Sequence, residues 1–161
     1  MTKNNQMETI VDQLLKDHKI KVKKWSSSSC GRAYFQTREV KIPKPTNEDR
    51  FCICLHEIGH ILHGEIGKRY EQEYTCEMFA INTAKQYGFD VTGYQERARR
   101  HIIICIAKAH CRGLNVDNIA PEIKLFCNVD FDTWKGKKVY VSNWGTDVYK
   151  GKQLEISIKD K

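Results

Sequence analysis

The segment DRFCICLHEIGHILHGE, residues 49–65, decides how the whole chain is read. It sets His56 and His60 four positions apart, with Glu57 directly after the first. On a helix, side chains at i and i+4 lie one above the other, so both imidazoles point the same way and can each offer a nitrogen to one metal ion. Glu57 is rotated by about 100° from His56. It can reach a metal-bound water without entering the coordination sphere. H-E-x-x-H is the arrangement of a zinc site with its general base, and the competing reading is a chance pair of histidines on an amphipathic helix. The surroundings favour the first. Phe51, Leu55, Ile58 and Leu62 recur at helical spacing and mark a buried face. Gly59 stands in the helix interior at a cost of roughly 1 kcal/mol against alanine, which points to close packing or crowding there.

A zinc ion held by two histidines needs a third protein ligand and an open fourth position. The helix expected at about residues 68–87 contains YEQEYTCEMFA, with Glu73 and Glu77 four apart on one face. Glu73 is the expected third ligand. Glu77 is the expected acceptor for the ring N–H of a ligand histidine. A solvated acidic stripe is the alternative. Glu71 and Glu65 are lesser candidates, because Glu71 falls about 200° from Glu73 and Glu65 lies beyond Gly64. His63, Tyr70 and Tyr74 are candidates for oxyanion or substrate contacts, which hydrolysis of a peptide needs. A histidine at a helix end also serves simply to cap carbonyls. His101 and His110 belong to no spacing motif and read as surface or satisfied core residues.

LHEIGHILHGE followed by EYTCEMFA resembles the ImmA/IrrE-type metallopeptidases of bacteria and their mobile elements. The resemblance covers residues 40–84 or so, and it matches His56 and His60 to ligand histidines, Glu57 to the catalytic glutamate and Glu73 to the ligand glutamate. Glu77 stands where that family commonly has Asp or Asn, and Cys76 where alanine is usual. The resemblance implies a zincin-like α+β core, a Zn2+ cofactor, and an endopeptidase acting on a protein substrate such as a transcriptional repressor or regulator. A phage or other mobile element would suit such a protein. The other functional class is a catalytically silent binding protein on the same scaffold, which contacts DNA or a regulator through a basic surface. The two classes differ in what they require of Glu57.

The rest of the 161-residue chain supports a globular α+β protein, read as one domain with a core at about 7–112 and a C-terminal extension at about 113–161. Hydrophobic residues make up 40% of it, which excludes a disordered chain. The longest apolar run, IIICIA at 102–107, is far too short to cross a bilayer, so no membrane partner is expected. The polar start MTKNNQMETI has no secretory apolar region. Seven cysteines with no C-x-x-C pair suit reduced, mostly buried thiols and a cytoplasmic location. The net charge of +7 gathers in KDHKIKVKK, RARRH, KGKK and the tail. A solvated surface is the favoured reading, and nucleic acid the less favoured one, because no nucleic-acid motif accompanies the charge. Trp134 and Trp144 flank the basic hairpin and are read as packing residues, with base stacking as the alternative.

Local patterns supply the remaining elements. Residues 7–18 read as a helix, KIKVKKW as a strand, and RAYFQTREVKIP as a hairpin whose second half, REVKIP, is an edge-like strand able to hold an extended peptide. Thr46 and Asp49 resemble a capping box for the histidine helix, which Gly64 ends. A further helix is expected at 92–111, a short one led by Pro121, and a terminal hairpin from KKVYVSN and KQLEISI.

Overall fold

Helix α1 (Lys3–Asp17) opens with the Thr2 hydroxyl accepting the Asn5 N–H at 3.3 Å, which satisfies one of the free donors at a helix start. Met7, Ile10, Val11 and Leu15 form its buried stripe. In this computed structural model, residues 1–141 and 155–160 are described. Three short strands follow α1: β1 (Lys21–Ser26), β2 (Arg32–Tyr34) and β3 (Glu39–Pro43). β1 runs parallel to β3 and β2 antiparallel to it, in the spatial order β1-β3-β2. The segment REVKIP is therefore the middle of the sheet, where an edge was expected. Val40 and Ile42 are fully buried in a strand that packs on α2, and both backbone edges of that strand are taken by its neighbours β1 and β2. Among the described residues, β1 and β2 are the two outer strands of this sheet.

Helix α2 (Glu48–His63) starts one residue later than the expected cap. Asn47, not Thr46, accepts the Arg50 N–H at 2.9 Å. Glu48 and Asp49 then sit in the first turn, where negative charge suits the helix dipole. Gly64 ends the helix with φ +71°, a conformation open to glycine. Helix α3 (Arg69–Gln86) begins with Glu71 accepting the Lys68 N–H at 2.6 Å, so this carboxylate serves the helix end. α2 and α3 touch at Gly59: a Cβ there would lie 3.2 Å from the Phe79 ring and 3.4 Å from the Cys76 Cα. The interior glycine is thus explained by close helix packing.

The chain divides into two compact units, Met1–Gln95 and Glu96–Lys161. The division falls inside α4 (Thr92–Cys111). Side chains of α4 beyond it bond to the C-terminal segment: Arg99 Nε donates to the Phe126 carbonyl at 3.0 Å, and His110 Nε2 meets the Lys137 carbonyl at 3.1 Å. The second unit continues with α5 (Pro121–Cys127), β4 (Lys137–Val141) and β5 (Ile156–Asp160), the last two antiparallel. Trp134 is only 1% exposed and packs edge-on against Phe131, so it offers no ring face to a base. Trp144 lies outside the described residues. No helix among the described residues is long and apolar enough to cross a membrane.

Leucine at position 59 is expected to push α2 and α3 apart and to lower stability by about 1–3 kcal/mol. A urea melt would read this as a lower midpoint at unchanged slope. A midpoint equal to the parent's would show that the helices do not depend on this contact.

Candidate metal centre

Helical repetition puts His56 and His60 on the face of α2 that meets α3, and the contact at Gly59 lets Glu73 of α3 reach them. One nitrogen of each histidine and one oxygen of Glu73 all lie within 4.8 Å of one another. His56 Nε2 is 3.1 Å from His60 Nε2 and 3.2 Å from Glu73 Oε2, and His60 Nε2 is 3.6 Å from the same oxygen. A tetrahedral ion bonded at about 2.0–2.1 Å holds its ligand atoms about 3.3 Å apart, so this triangle has the size such an ion requires. The chemistry of the donors agrees. Two imidazoles and a carboxylate suit a divalent transition metal. Glu73 is 1% exposed, and a carboxylate so deeply buried needs charged or hydrogen-bonding partners for its oxygens, of which a metal ion would be one. The group can therefore hold a metal ion.

The surrounding side chains orient these ligands. Glu77 Oε2 lies 3.4 Å from His56 Nδ1, which leaves Nε2 to face the triangle. The Tyr94 hydroxyl donates to that same Glu77 oxygen at 2.5 Å. The Arg69 guanidinium pairs with Glu73 Oε1, leaving Oε2 toward the histidines. Sequence spacing places Arg69 and Glu73 at i and i+4, a signal that could have exposed their pairing. Tyr94 carried no such signal, being 17 residues from Glu77 and brought there by the fold.

Electrostatics follow the crowding. Burial alone would disfavour the His56 imidazolium, but the Glu77 charge and the hydrogen bonds that the ring donates to Glu73 and Glu77 outweigh it and hold its pKa well above the usual value. For Glu57, burial raises the carboxyl pKa, and the nearby His56 and His60 only partly oppose this. A bound cation would reverse the balance at His56 by competing with its proton.

Glu57 is buried beside the triangle and is not a member of it. The loop before β2 closes directly on it: a Cβ added at Gly31 would lie 2.5 Å from Glu57 Cγ and 2.7 Å from Oε1. Only glycine leaves room for the carboxylate where it now stands. The remaining candidates are not members of the triangle. Tyr70 is fully buried, with its hydroxyl 3.4 Å from Glu71. His63 is exposed, its ring edge-on to Phe79 at 5.5 Å. Tyr74 is half-buried on α3.

Compared with protein-family models, with characterised proteins and with solved structures, the chain matches none.

In zinc titrations against a chelating dye, alanine at His56, His60 or Glu73 is expected to abolish one-to-one binding. Tyr94→Phe and Glu77→Ala are expected to weaken it about 10–100-fold. Stoichiometric binding that survived Glu73→Ala would refute the assignment of the triangle.

Proposed function

We propose that the protein is a zinc-dependent endopeptidase of the ImmA/IrrE type, built on a zincin-like core and cutting a cytoplasmic protein such as a transcriptional repressor or regulator. The observation that carries this reading is the buried Glu57 carboxylate set beside, and outside, a triangle of ligand atoms 3.1 to 3.6 Å apart. A purely structural metal site has no use for a carboxylate so placed.

His56, His60 and Glu73 would hold the ion. When bound, zinc supplies Lewis acidity toward a water and a carbonyl. The protein's own contribution begins with Glu57. Its carboxylate accepts the proton of the attacking water and returns it to the leaving amine. Gly31 and the α2 backbone hold that carboxylate in a single position. Glu77 and Tyr94 fix the His56 ring, and Arg69 fixes Glu73. Among the described residues β2 lies at an edge of its sheet, and the residue just before it, Gly31, stands against Glu57. An extended peptide paired along that edge by backbone hydrogen bonds would pass the catalytic group. This assigns to β2 the peptide-holding role that the sequence pattern had suggested for REVKIP.

Glu57→Gln is expected to keep the fold and the zinc while cleavage falls by about 10²–10⁴-fold. The assay is mass spectrometry of candidate repressors and of proteome-derived peptides after incubation. Undiminished cleavage by this variant would exclude the mechanism, and a biological effect that persisted without cleavage would identify a silent binding protein. Gly31→Ala displaces the Glu57 carboxylate and should cost about 10²-fold in rate with zinc content unchanged.

A further inference from the structure

Three cations cross the outer face of the N-terminal sheet in one row. Lys24 of β1 stands opposite Lys41 of β3, and Lys41 stands opposite Arg32 of β2. Like charges directly opposite one another destabilise a sheet. Among the described residues, none of the three forms an ion pair. The nearest acid in the sheet, Glu39, is already engaged by Lys23 at 3.7 Å and by the Thr37 hydroxyl at 2.8 Å. The uncompensated row ends at Arg32, on the strand whose far edge is open among the described residues.

Alternation along β2 tells which way each side chain faces. Ala33 pairs with the fully buried Val40, and the Cβ position of Gly31 meets Glu57. Residues 31 and 33 therefore face inward, and Arg32 and Tyr34 face outward. The Arg32 guanidinium lies 5.5 Å from the Tyr34 ring centroid, which keeps it on the outer face. A peptide added to the edge of β2 extends the row by one strand. The side chain opposite Arg32 then stands on the same face, within cross-strand range, and an opposite charge there is favoured.

We infer that the open edge of β2 takes an extended peptide carrying Asp or Glu at the position paired with Arg32, with the Lys24–Lys41–Arg32 row as the selecting charge. As a statement about the substrate, this rests on the peptidase reading; as a statement about binding, it does not. A single-stranded nucleic acid is the rival polyanion, and it needs free ring faces for its bases. The two rings carried by the strands themselves already hold cations: Lys23 sits 4.3 Å from the Tyr34 centroid, and Lys44 sits 4.0 Å from the Trp25 centroid. The row can meet carboxylates without displacing anything.

The test is fluorescence anisotropy on the full-length, zinc-loaded Glu57→Gln chain. Two labelled decapeptide pools are compared, identical except that one has Asp and Glu, and the other Lys and Arg, at the varied central position. An oligo-thymidine of the same length is the third probe. The acidic pool should bind at least tenfold tighter than the basic pool. Arg32→Glu should abolish or invert that preference, Arg32→Lys should keep it, and Lys138→Glu, a change of equal charge in the other unit, should leave it unchanged. Equal binding of both pools, binding of neither, or a preference that survives Arg32→Glu overturns the inference. So does oligo-thymidine binding that exceeds the acidic pool and is lost in Arg32→Glu. Digestion of the same pools by the wild-type chain separates the two claims. An acidic pool bound but never cut leaves this inference standing and removes the peptidase reading, whereas cutting without acidic preference does the reverse.

Discussion

Everything at the centre depends on how closely α2 approaches α3. With hydrogen in place of a side chain at Gly59, the backbone of α3 at Cys76 comes within van der Waals reach of α2. That distance lets Glu73 touch two histidines one turn apart on the opposite helix. A bulkier residue would leave a pair of imidazoles with no third donor. The result places His56, Glu57, Glu73 and Glu77 together in the interior. Burying ionisable groups costs several kcal/mol each unless each finds a partner. Tyr94, Arg69 and the histidines supply part of that compensation, and a cation in the triangle would supply the rest.

The small sheet serves this helix pair. β3, the most apolar strand, is sandwiched between β1 and β2, and this leaves the short β2 at the margin. The turn into β2 also sets Gly31 directly against Glu57. One glycine thereby couples an open strand edge to a buried carboxylate. Functional groups held on packed helices and a short strand have little freedom to drift, which suits chemistry that depends on position.

Features set by neighbours a few residues away could be read directly. The histidine spacing, the Glu73–Glu77 pair, both bounds of α4 and the pairing of the last two strands all follow from helical or strand periodicity. The cap of α2 was misplaced by one residue, because Thr46 and Asn47 are both good caps and only the path of the chain after Pro45 chooses between them. Glu71 read as a weak ligand candidate, yet it closes the start of its own helix. The order of the sheet was misjudged because alternation reveals which face of a strand is buried and says nothing about how many neighbours it has.

By itself, the sequence determined which residues have the chemistry for a metal site and that two of them share a helix face, since i and i+4 geometry is local. The tertiary structure brought Glu73 to the two histidines, through a contact between helices that no periodicity encodes. It also brought Tyr94 to Glu77 across 17 residues, laid Gly31 on Glu57, and lined up Lys24, Lys41 and Arg32 across three strands. Each of these is a meeting of segments distant in the chain, and such meetings exist only once the packing is complete.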